Sequence, residues 1–101
     1  MYGYHGTLKA KKGKGDELAS ILLASSKVLA NVQGSSHYVV SRDVTDSDVI
    51  YVTEFWDSKE DHDNSLKNPD VRSLISKAIP ILDESPKKGL EMKVLGGLGL
   101  T

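Results

Sequence analysis

The chain contains no cysteine. That removes disulfide bridges, thiolate catalysis and cysteine-based zinc sites together. Charge of one sign is equally lacking: 13 Lys+Arg stand against 14 Asp+Glu, so no broad field favours nucleic acid or an anionic membrane. No apolar run approaches the ~20 residues of a membrane span, and MYGYHGTLKAKKGKG has no apolar signal-peptide core. A cytoplasmic protein is expected. Aromatic residues are few, with one Trp, one Phe and four Tyr. The three histidines lie far apart and form no HExxH, which argues against a metal site. Neither GxxxxGK[ST] nor a strand–GxGxxG–helix fingerprint is present, so GKG at 13–15 reads as a strand-to-helix turn rather than a phosphate cradle.

What is there is a readable order of elements in one domain, 1–101, with a Gly-rich tail at 96–101. Residues 2–9 alternate as a strand, with Tyr2, Tyr4, Gly6 and Leu8 on one face and His5, Thr7 and Lys9 on the other. Leu18, Ile21, Leu22, Ser25, Val28, Leu29 and Val32 recur at helical spacing, with Asp16 and Glu17 at the favoured end of the dipole and Gly34 as the stop. Strands are expected at 36–44 and 49–56, separated by the polar turn Thr45–Asp48. A short helix is expected at 58–68, and a second opens at Pro69 with Asn68 as its cap. Pro80 ends that helix, and a last strand spans 90–96.

The order β-α-β-β-α-β specifies an α+β, ferredoxin-like fold: a four-stranded antiparallel sheet with its helices on one face. Strand 49–56 is apolar on both faces, and the chain has no second layer left to cover the far side. A homodimer through the open sheet face is therefore expected.

Chemistry concentrates in 54-EFWDSKEDH-62. Glu54 shares its strand face with Ile50, Val52 and Trp56, where a carboxylate is costly unless paired. It is ion-paired, for instance to Arg72 or Lys77, or hydrogen-bonded to a neighbouring strand, or else a buried base with a raised pKa able to deprotonate a phenol. Trp56 is a core ring, a cleft wall, or both. Asp57–Asp61 matches a helix cap, with Ser58 and Asp61 or Asp57 and Glu60 at the required spacing. His62 shares the inward helix face with Leu66, so it is either half-exposed at the helix start or a proton acceptor for a bound hydroxyl. His5 and His37 lie opposite the Tyr4/Leu8 and Tyr38/Val40 sets, and look toward the dimer layer if those sets face the helices.

KAKKGKGDEL after the first strand, IYVTEFWDSKEDHDNSLKNPDVRSLI in the centre, and the closing strand resemble the antibiotic biosynthesis monooxygenase family. The signature is Glu54-x-Trp56-x-Ser58-x-Glu60 on a strand end. The resemblance implies a dimeric α+β barrel and an oxygenase that needs neither flavin nor metal, because an electron-rich aromatic or quinol itself reduces oxygen. It also implies that Trp56 lines the substrate cleft and that His62, six positions on, can reach it. Haem-degrading relatives require an asparagine where this chain has Gly6, and some oxygenases carry one where it has Val52. Haem chemistry is accordingly not expected. The candidate site is His62, Trp56 and Glu54, with no cofactor; the alternative is a non-catalytic module of the same fold that binds a small aromatic ligand.

Overall fold

The computed structural model describes residues 1–100; Thr101, at the end of the Gly-rich tail, lies outside them. The elements are β1 (Tyr2–Lys9), α1 (Gly15–Leu29), β2 (Ser35–Arg42), β3 (Val49–Trp56), α2 (Lys59–Ser65), α3 (Pro69–Ala78), a 3-10 turn (Ile79–Ile81) and β4 (Leu90–Lys93). The antiparallel sheet runs β2-β3-β1-β4, the ferredoxin-like order. Among the described residues no helix is long and apolar enough to cross a membrane.

Register decides which residues meet the helices. Tyr2, Tyr4, Gly6 and Leu8 of β1 lie opposite Trp56, Glu54, Val52 and Ile50 of β3. On the other side of β3, Tyr38 and Val40 of β2 lie opposite Glu54 and Val52. Because side chains alternate along a strand, these sets form the helix-facing side of the sheet. Buried on that side are Ile50, Val52, Leu18, Leu22, Ala78 and Leu82 in one cluster, and Leu29, Trp56 and Val71 in a second. Trp56, Leu18 and Ile50 are the largest fully buried side chains. His5 and His37 are on the opposite face. His5 lies against Thr53 and Tyr51, and His37 against Ser36 and Phe55.

Four boundaries differ from the sequence reading, α2 among them, which spans Lys59–Ser65 rather than 58–68. Helix α1 ends at Leu29 rather than near Val32, and Gly34 (φ +82°) turns the chain into β2. A Cβ on Gly34 would also collide with the Asp61 carboxylate, so the turn and the start of α2 approach closely there. Strand β2 stops at Arg42 because the Asp43 carboxylate accepts bonds from Thr45 N, Thr45 Oγ1 and Asp46 N, a local turn that competes with the ladder. Strand β4 pairs only Leu90–Lys93, and the last ladder bond runs from Val94 N to Met1 O.

Candidate functional site

The strand-to-helix corner is built as its sequence specifies. Ser58 accepts a bond from Asp61 N at 3.1 Å and caps α2. The cap aims the first turn of α2 so that His62 falls back over the sheet, only 8% exposed. Its ring stacks on Tyr4 (centroids 5.2 Å apart), tilts against Tyr2 (5.4 Å) and meets Trp56 edge-on (5.8 Å). Three aromatic rings thus fix the imidazole plane. The Asn68 side chain caps α3 through Asp70 N and Val71 N, and Pro69 occupies its first turn.

Glu54 is the centre of the arrangement. Its Oε1 accepts the Trp56 Nε1–H bond at 3.1 Å and lies 4.0 Å from His62 Nε2. The expected ion pair with Arg72 or Lys77 is not formed. Both of those side chains are exposed on the outer side of α3, and the indole and imidazole take the role instead. Burial pushes the Glu54 carboxyl above its ordinary value of 4.5, while the indole N–H and the His62 charge pull it back. Tyr38, its cross-strand neighbour, is pushed up as well, first by burial and then by the Glu54 charge.

A cleft of about 240 Å³ opens between sheet and helices. Leu22 and Leu29 of α1, Val71 and Leu74 of α3, and Leu8 of β1 give it apolar walls; Tyr38 and Glu54 supply polar groups from the sheet. Few polar groups set in apolar walls is the usual make-up of a small-molecule site. Of the three sequence candidates only Glu54 lines it. Trp56 is fully buried one layer behind, against Leu29, Val71 and Tyr38, and His62 stands on the far side of the Glu54 carboxylate. A hollow of about 330 Å³ between β1 and the loop before β4 contains none of the three. Tyr38 was not among the sequence candidates. Its signal was its place beside Val40 on the helix-facing side, but only the register sets it opposite Glu54.

The two glycine amides of the turn before α1 are already taken. Gly13 N and Gly15 N both donate to the Asp48 carboxylate, at 3.1 and 2.9 Å. Among the described residues no three His, Asp or Glu side chains are grouped to hold a metal.

The profile of the family described as antibiotic biosynthesis monooxygenase matches residues 1–77. The chain belongs to that family. A crystal structure from Chloroflexus aurantiacus J-10-fl, provisionally described as an antibiotic biosynthesis monooxygenase, is 34% identical; the match covers 99% of this chain and 98% of that one, with a TM-score of 0.87. Proteins similarly described from Deinococcus radiodurans (22% identity, 100% and 99% coverage, TM-score 0.83) and Nitrosomonas europaea (12%, 95% and 100%, 0.88) share the fold. No curated protein matches the sequence. Gly6 and Val52 face each other across β1 and β3 and offer no side-chain hydrogen bond.

Proposed function

We propose that this antibiotic biosynthesis monooxygenase family member is a cytoplasmic, cofactor-independent oxygenase. Its substrate would be a small electron-rich aromatic or quinol bound in the sheet–helix cleft. The observation that carries the reading is Glu54: a largely buried carboxylate, raised by desolvation, on the wall of a mostly apolar cleft. Such a group can take a phenolic proton, and the resulting phenolate is electron-rich enough to pass an electron to O2. Recombination forms a C–O bond at a ring carbon. Loss of water from the peroxide then leaves a carbonyl: two substrate hydrogens and one oxygen atom depart as water, and the other oxygen stays. Trp56 orients Glu54 through its N–H, His62 handles the proton behind it, and the Tyr38 hydroxyl is placed to hold a substrate oxygen. A cleft of about 240 Å³ favours a ligand of one or two rings.

The protein would act as a homodimer. Val39 and Leu90, both exposed, and the partly buried Tyr51, Phe55 and Met92 share the sheet face that the helices leave open, and a second copy would bury them. Light scattering at micromolar concentration should give twice the chain mass.

Oxygen uptake with a panel of hydroquinones tests the activity. Wild type should consume oxygen, and Glu54→Gln should lower kcat by about 10²-fold or more. The missing amide donors at Gly6 and Val52 favour a second reading, a binding module without chemistry. Calorimetric binding of the same compounds with no oxygen uptake would establish it in place of the first.

A further inference from the structure

A substrate that fills the cleft also seals it. The walls are mostly apolar, so a proton taken up by Glu54 has few polar groups on the cleft side to carry it to solvent. On the opposite side, however, the carboxylate has a polar neighbour. His62 Nε2 faces Glu54 Oε1 at 4.0 Å, and His62 Nδ1 faces Asp63 Oδ1 at 3.0 Å. Exposure is low for the Glu54 and His62 side chains, 13% and 10%, and reaches 52% at Asp63. The imidazole between them is clamped by Tyr2, Tyr4 and Trp56, so its two nitrogens stay aimed in opposite directions.

We propose that Glu54, His62 and Asp63 form a proton relay that connects the occupied cleft to solvent through the back of the sheet–helix corner. The inference deepens the oxygenase reading above and rests on it. His62 and Asp63 act through Glu54 as positioning residues, since neither lines the cleft. When the imidazole is neutral, Nδ1 carries the hydrogen and donates it to Asp63, which leaves the Nε2 lone pair toward Glu54. Oε1 and Nε2 stand about 1 Å beyond hydrogen-bond reach, a gap that a small rotation of the carboxylate closes. A proton moving outward enters at Nε2 and leaves from Nδ1. A proton moving inward, to the peroxide oxygen that departs as water, reverses both steps. One passage each way per turnover leaves the net proton count at zero, as the overall reaction requires, and returns the imidazole to its first tautomer without a ring flip.

The relay can be tested with and without turnover. Nitrogen-15 NMR of the imidazole at about pH 8 should show the Nδ1–H tautomer for His62, the less favoured form of free histidine; a predominant Nε2–H form would overturn the proposal. In oxygen uptake, Asp63→Asn should lower kcat about tenfold at unchanged KM, and Asp63→Glu should recover most of it. Asp63 is exposed, so these variants should fold. An unchanged kcat in Asp63→Asn would refute the relay while leaving the oxygenase reading intact. If no compound is turned over, the oxygenase reading fails on its own, and the tautomer still decides whether the path is built as described.

Discussion

Replacing Trp56 by phenylalanine isolates the indole N–H as the support of a buried charge. Two losses are expected. The smaller ring leaves a void on the order of 40 Å³ in a fully buried site, worth about 1 kcal/mol at ~24 cal/mol per Å³. The lost bond to Glu54 Oε1 is worth about 1 kcal/mol when the carboxyl is neutral and roughly 2–3 kcal/mol when it is charged. The destabilisation should therefore be about 2 kcal/mol near pH 4 and about 3–4 kcal/mol near pH 8. The sign follows from linkage. Burial raises the folded-state pKa of Glu54 above its ordinary 4.5, so its contribution is fully present below that value and is lost as pH rises through the folded pKa. Removing the N–H takes away one of the two influences that lower this pKa, so the variant loses more stability on the way up. Urea unfolding followed by circular dichroism at both pH values measures the difference. In a Glu54→Gln background the pH dependence should vanish. A loss that is equal at both pH values, or larger in acid, would refute the assignment of Trp56 as the carboxylate's support.

Two further outcomes are expected. Alanine at Gly15 would place a Cβ 2.1 Å from the Ser47 carbonyl oxygen and 2.9 Å from Asp48 Cα, both backbone, and should cost about 2 kcal/mol or more in thermal unfolding; a neutral result would show that this close approach is not rigid. The Asp43 carboxyl, held down to about 2 chiefly by the Tyr51 hydroxyl and also by Thr45, should move up toward its ordinary 3.8 in Tyr51→Phe when followed by carboxyl-carbon NMR. Because that pKa is depressed, its stabilising contribution is present above 3.8 and fades as pH falls toward 2.

The fold was legible because periodicity carries it. The alternation in 2–9, the two-faced apolar run 49–56, the helical spacing after Asp16, and the Asn68–Pro69 start of α3 each specify one element, and β-α-β-β-α-β leaves few topologies. The site was legible only in part. Strand parity placed Glu54 and Trp56 on one face and helix parity turned His62 inward, so their meeting was foreseeable. Their depth was not. Whether a ring lines a cleft or stands behind it depends on how α1 and α3 close over the sheet, and one residue's periodicity does not record that. The same limit hid Tyr38, whose importance comes from the β2–β3 register, and it put Arg72 and Lys77 forward as partners for Glu54 when α3 turns both outward.

The single tryptophan has a consequence for observation as well as for structure. Since Trp56 is the only indole in the chain, all tryptophan emission comes from one point, sealed from solvent and within a few ångströms of the Glu54 carboxylate and the His62 ring. An indole in that setting responds to a charge appearing or leaving beside it. The protein therefore carries a built-in optical probe of its own site, one that reads the protonation of the corner directly, needs no label, and leaves the cleft free for whatever enters it.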